Sequence, residues 1–248
     1  MIDDWNSLLD CMARELLESA AVDGPPVDPF RIADRRGIRV ATDARQQVRG
    51  RQKTLNGRPV VFLKPDDRPE RVQWALAHEL GEIHAWRAAD RAGIADTLST
   101  GMREQIANQL ASRILLPGHW FFPDAARCDD DVLELKTQYA TASHSLIALR
   151  LLDRDLPAVV SIFDQGRLTY RKSNRASFSA DPIRAEEEDE VRRAMQSNRL
   201  PSTRSVSGRR IRSWPIDEPG RQRDIVVMTL TATDDAFDDA DWPQDSAT

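Results

Sequence analysis

Cysteine is almost missing from this chain: among 248 residues only Cys11 and Cys128 occur, far apart, in no C-x-x-C pair and beside no histidine. That count excludes a disulfide framework and gives thiol catalysis no support; it fits reduced thiols in a cytoplasmic protein. Long apolar runs are missing too. No stretch reaches the roughly 18 apolar residues that a membrane helix needs, and Met1-Ile2-Asp3-Asp4-Trp5 is acidic where a secretion signal would be basic. The expected location is therefore the cytoplasm, with no membrane partner. Positive charge is not in excess: 35 Lys and Arg against 40 Asp and Glu give a net charge of −5 and a pI near 5.5. This argues against general nucleic-acid binding, although a basic face could exist locally. The chain shows no internal repeat and no glycine-rich phosphate loop.

What the chain does have is Ala77-His78-Glu79-Leu80-Gly81-Glu82-Ile83-His84, inside an apolar helical run from Arg71 to Trp86. Val72, Leu76, Leu80 and Ile83 recur at three- and four-residue steps and form one buried stripe. In the H-E-x-x-H pattern two histidines four apart share a helix face and bind one Zn²⁺, while the adjacent Glu activates water. Here the fourth-along position is Glu82. A carboxylate is an accepted Zn²⁺ ligand at nearly the same distance, so the His78/Glu82 pair keeps binding capacity. The ligand set gains one negative charge. His84, six residues beyond His78, lies about 240° around a helix; it reads as a partly exposed helix-end histidine, able to join the site only if the helix ends near Ile83. Gly81 costs a helix interior roughly 1 kcal/mol relative to Ala, which is easier to explain if another backbone or a substrate comes close.

A zinc hydrolase needs three protein ligands and an open position. The third is expected from a second helix, Glu104 to Leu116, capped by Ser99 or Thr100 and ended by Pro117. Glu104, Ala107, Asn108 and Ala111 share one face, so small side chains would let this helix lie close to the first and aim Glu104 at the metal. The expected site is thus Glu79 as general base with His78, Glu82 and Glu104 on Zn²⁺. His119, Tyr139, His144 and Arg103 are candidates for stabilising the oxyanion.

These residues resemble the ImmA/IrrE-type metallo-endopeptidases, which typically show A-H-E-L-G-H followed by E-x-x-A-N-x-F-A-x-x-L-L-M-P. The chain reads Ala77-His78-Glu79-Leu80-Gly81-Glu82, then Glu104 with Ala107, Asn108, Ala111, Leu115, Leu116 and Pro117. The resemblance runs from about Val27 to about Leu152. It implies His78 and Glu104 as metal ligands, Glu79 as general base, a zincin-like fold, and cytoplasmic cleavage of a repressor or regulator protein that controls a stress or mobile-element response. The family's second histidine falls at Glu82. A non-catalytic regulator that binds a protein partner is the competing expectation.

The expected fold class is α+β: a helical metallopeptidase-like domain with a small antiparallel sheet over residues 1–155, a small α+β module over 156–232, and an acidic, disordered tail over 233–248. In the first domain, residues 4–20 read as a helix with Trp5, Leu8, Leu9, Met12 and Leu16 inward. Strands are expected at Ile38–Ala41 and near Val60–Leu63; the second reads first as an ordinary core strand and otherwise as an edge strand that pairs with a substrate backbone. Asp129–Leu135 and Ser143–Leu152 read as a helix pair. Few basic side chains beyond Arg150 stand on it to read DNA. In the second module, Ala158–Phe163 and Arg167–Lys172 form a hairpin, further strands cover Arg209–Trp214 and Ile225–Thr231, and Glu186–Glu190 reads as a solvated face at a helix start.

Overall fold

A computed structural model describes residues 2–175, 181–196, 199–206, 208–218 and 220–230. The acidic tail expected over 233–248 lies outside the described residues. The chain divides into two compact units that meet at residues 153 and 154. Among the described residues no helix is long and apolar enough to cross a membrane.

The first unit opens with α1 (Ile2–Ser19) and α2 (Pro29–Arg35), followed by β1 (Arg39–Thr42), β2 (Gly50–Leu55) and β3 (Arg58–Leu63). It continues with α3 (Pro69–Arg91), α4 (Thr100–Leu115), α5 (Gly118–Arg127), α6 (Val132–Gln138) and α7 (His144–Arg150). Leu9, Met12 and Leu16 of α1 are buried as the apolar spacing requires, and Trp5 donates its indole N–H to Gln109 at 2.8 Å. The sheet order is β1-β3-β2, with β3 antiparallel to β2 and parallel to β1. The sheet is therefore mixed. Because β3 is the central strand, Val60–Leu63 has both backbone edges occupied and cannot receive a substrate strand; Val60, Val61 and Leu63 are core residues. The edge strands are β1 and β2, and the one that borders the cleft is β2, a polar segment without the apolar alternation that marks a strand.

Helix α3 is buried over most of its surface from Ala75 to Ala89, with Trp86 and Arg87 exposed, since it is covered by α1, α2, α4 and the sheet. It runs unbroken past Ile83. His84 is therefore a mid-helix residue only 6 % exposed, not a helix-end histidine, and burial, helped by Arg36 and Arg87, pushes its pKa down to about 4. Helix α4 starts where expected, with Ser99 Oγ accepting the backbone N–H of Met102 at 3.2 Å. Arg150 is also buried: it donates to Leu116 O at 3.1 Å and Asp10 Oδ1 at 2.5 Å, and pairs with Asp153. The basic side chain that α7 was expected to offer a nucleic acid is spent on tying α1 to α7.

The second unit holds β4 (Ala158–Asp164), β5 (Arg167–Ser173), α8 (Asp181–Gln196), β6 (Ser202–Val206), β7 (Arg209–Glu218) and β8 (Arg221–Leu230). Its five strands form an antiparallel sheet in the order β5-β4-β8-β7-β6. The β4–β5 hairpin turns at Gln165 and Gly166, both with positive φ (52° and 73°), as a two-residue turn between right-twisted strands requires. Val191 of α8 packs with Val159, Phe163, Ile211, Val226 and Met228. The acidic start of α8 is not simply solvated. Glu187 is 0 % exposed and accepts from Ser161 on β4 and Arg171 on β5, at 2.6 and 2.9 Å. Glu190, 2 % exposed, accepts from Ser213 of β7 at 3.4 Å and from Ser202 of β6. Three residues apart on a helix, both carboxylates face the same way, and here that way is the sheet.

Candidate metal centre

The close contact of α3 with α4 starts at Gly81. A Cβ on Gly81 would stand 2.5 Å from the carbonyl oxygen of Ala107 and 2.9 Å from its Cα, so only glycine allows the backbones this near. Ala107 and Ala111 are both fully buried along that contact. The approach places Glu104 and Asn108 of α4 opposite His78 and Glu82 of α3.

His78, Glu82 and Glu104 each offer one donor atom, and these atoms lie within 4.8 Å of one another. His78 Nε2 stands 3.6 Å from Glu104 Oε1. Nδ1 of the same ring lies 3.2 Å from Asn108 Oδ1, which can only accept. Nδ1 therefore carries the proton and Nε2 presents its lone pair, the arrangement a metal-ligating histidine requires. Asn108 Nδ2 also donates to Glu104 Oε1 at 3.4 Å, so one amide orients both residues. Glu82 is ion-paired with Arg103, whose Nε lies 2.8 Å from Oε2.

Metal bonds of about 2.0–2.2 Å to nitrogen and oxygen require donors only a few ångströms apart. One imidazole and two carboxylates within 4.8 Å meet that requirement, with a donor chemistry suited to a divalent cation. The cluster opens into a cleft of about 810 Å³, walled by β2, α3 and α4 and including Gly50, Lys53, Trp74 and Arg103.

Glu79 stands beside the cluster and is 7 % exposed. Burial lifts its carboxyl above the ordinary range; His78 opposes the shift, and Glu82 and Glu104 add to it. A Cβ on Gly50 would lie 2.5 Å from Glu79 Oε1, so this glycine at the start of β2 makes room for the carboxylate. Sequence reasoning missed Gly50 and the strand it begins. The available signal was a lone glycine within the polar run Arg49–Lys53, which by itself reads as a turn.

Of the four residues expected as oxyanion stabilisers, Arg103 alone lines the cleft. Tyr139 is buried and donates to Asp124 Oδ2 at 2.8 Å. His119 stacks on Trp120, and His144 is near enough to Glu70 to influence its carboxyl. None of these three joins the cluster. His84 is absent from it as well, as its angle around α3 requires.

No curated protein matches this chain. A solved structure of a Mycobacterium tuberculosis transcriptional regulator is similar, with a TM-score of 0.65 and 18 % identity over 90 % of this chain and 75 % of that chain. At that identity the likeness concerns the fold. Residues 33–151 match the family model of the IrrE N-terminal-like domain, Peptidase_M78, which spans the three-stranded sheet, both site helices and α7. That match, over just under half of the chain, makes the first unit similar to the IrrE N-terminal-like domain, a metallopeptidase-type family that implies a divalent metal.

Proposed function

We propose that the first unit is a zinc-dependent endopeptidase that cleaves an extended segment of a regulatory, repressor-type protein and thereby controls a stress or mobile-element response. In this reading His78, Glu82 and Glu104 hold the zinc and Glu79 is the general base. The carrying observation is the convergence of those three donor atoms within 4.8 Å, at a cleft beside a buried carboxylate of raised pKa. A divalent metal held there supplies Lewis acidity toward the scissile carbonyl and its attacking water.

The chain's own groups account for the rest. Glu79 takes a proton from the attacking water and returns it to the leaving amine, a role its raised pKa suits because it brings the base nearer neutral pH. Asn108 keeps His78 in the required tautomer. The free edge of β2, Gly50–Leu55, offers backbone N–H and C=O groups to an extended peptide by strand addition, which fixes the peptide's register over the cleft. We assign the peptidase-like domain to residues 1–155 and the α+β module to 156–232, a division supported by the two compact units. We place the protein in the cytoplasm, a reading supported by the free thiols of Cys11 and Cys128.

One observation favours a second reading. Glu82 stands where H-E-x-x-H has its second histidine and is ion-paired to Arg103, which suits a regulator that binds a protein partner and no longer turns over. Metal content per chain separates the two readings, measured in wild type, Glu82→Ala and Glu104→Ala. Near-stoichiometric zinc in wild type that is lost in both variants, with peptide hydrolysis abolished by Glu79→Gln, supports the peptidase. No zinc in wild type after supplementation overturns it and favours the regulator.

A further inference from the structure

We infer that Arg103 is the charge-compensating and positioning residue of the His78/Glu82/Glu104 centre, a role that the replacement of histidine by Glu82 makes necessary. The inference rests on the metal-binding reading above. A set of two histidines and one glutamate carries a formal charge of −1, whereas His78 with Glu82 and Glu104 carries −2. The guanidinium of Arg103, always protonated, returns the total to −1 when it sits on Glu82.

The geometry permits this without removing a ligand. Arg103 binds one carboxylate oxygen, Oε2, through Nε at 2.8 Å. A carboxylate has two oxygens, so the other remains for the cation, and Glu82 already belongs to the 4.8 Å cluster while paired with Arg103. Arg103 reaches Glu82 because it precedes Glu104 on α4 and the Gly81–Ala107 contact brings α4 against α3. Arg49 and Lys53 also line the cleft, yet among the described residues only Arg103 pairs with Glu82. The Arg103 side chain is 53 % exposed, and an ion pair so open to solvent adds little to folding stability. Its effect falls on the metal centre: it holds the Glu82 carboxylate in one orientation and limits the negative charge that would dull the metal's acidity.

A double-mutant cycle tests this through metal affinity, with no need for turnover. Co²⁺ dissociation constants, read by competition with a chromophoric chelator, are compared for wild type, Glu82→His, Arg103→Met and the double variant, with thermal melts to confirm folding. With Arg103 present, Glu82→His leaves a guanidinium facing a neutral imidazole, and Co²⁺ binding weakens by roughly tenfold, within the range typical of groups that support metal ligands. In the Arg103→Met background the same change does not weaken binding, and Arg103→Lys, which keeps the charge, follows wild type. Equal effects of Glu82→His in both backgrounds, with Co²⁺ bound, would overturn the inference and leave the metal-binding reading standing. No Co²⁺ binding in any of the four proteins would overturn both.

Discussion

Each unit buries glutamates, and the two sets are treated in opposite ways. In the second unit Glu187 accepts from Ser161 and Arg171, and Glu190 accepts through Oε1 from Ser202 and Ser213 while its Oε2 makes ion pairs with Arg193 and Arg204 at 3.7 Å, so α8 is fastened to four strands by partnered carboxylates. In the first unit Glu79 is also buried, though less deeply, and its carboxyl is shifted only by burial and neighbouring charges, not by a hydrogen bond. A buried acid held by donors and cations stabilises a fold; one raised by burial and by neighbouring carboxylates stays reactive and costs stability. In the proposed reading the same residue type therefore serves architecture in one unit and chemistry in the other.

Isosteric removal of charge breaks this comparison most directly. Glu79→Gln is expected to lower peptide hydrolysis by about 10²–10⁴-fold, the usual range for a general base, while stability of the metal-free protein rises by something on the order of 1 kcal/mol, a common trade at reactive sites. A melt showing Glu79→Gln destabilised would mean that its carboxylate has partners after all. At Glu187 the sign reverses. Glu187→Gln loses a charged acceptor of Arg171 and is expected to destabilise the second unit by about 2–3 kcal/mol, with metal content unchanged, as read by urea unfolding and metal analysis.

A smaller effect concerns the scaffold that brings the reactive set together. Gly81→Ala drives a methyl group into Ala107, and overpacking of this kind costs about 1–3 kcal/mol. Because α4 carries Glu104, the same variant should bind metal more weakly, whereas Gly101→Ala, which meets nothing within 4 Å, should leave both properties alone.

The smallest effect is a divergence with pH. Burial raises the Asp224 carboxyl of the second unit despite Arg199, so its folded form favours the proton. Its contribution to stability is greatest below the unfolded pKa and is lost as pH rises through the folded one. Glu70 in the first unit is lifted by burial, but Lys136 at 2.8 Å reverses the balance and its pKa is lowered. That contribution is present above the unfolded pKa and is lost as pH falls through the folded one. Mild acid should therefore loosen the first unit before the second, and Glu70→Gln should remove part of the difference in melts across the acid range.

Much of the first unit was legible because its signals are local. The 3.6-residue period of α3 and α4, the Ser99 cap and the Pro117 stop each act within a turn or two of helix. Strand β2 was not legible, since a polar edge strand lacks the alternation that burial imposes, and the phase of α8 was misread because Glu187 and Glu190 are polar residues inside a core. Only partners distant in the chain, Arg171, Ser161 and Ser213, make that burial tolerable.

The sequence by itself determined that His78 and Glu82 share a helix face, that Glu79 lies beside them, that His84 points elsewhere, and that Glu104 leads a small-residue face ready to pack. All of this follows from the pitch of an α-helix. Tertiary structure alone decided that Gly50 clears space for Glu79, that β3 is central while β2 is the edge strand at the cleft, and that Arg103 sits on Glu82. Those outcomes depend on which strands pair and how near two helices come, and strand order and interhelical distance come from burying the whole core, which no single stretch of the chain contains.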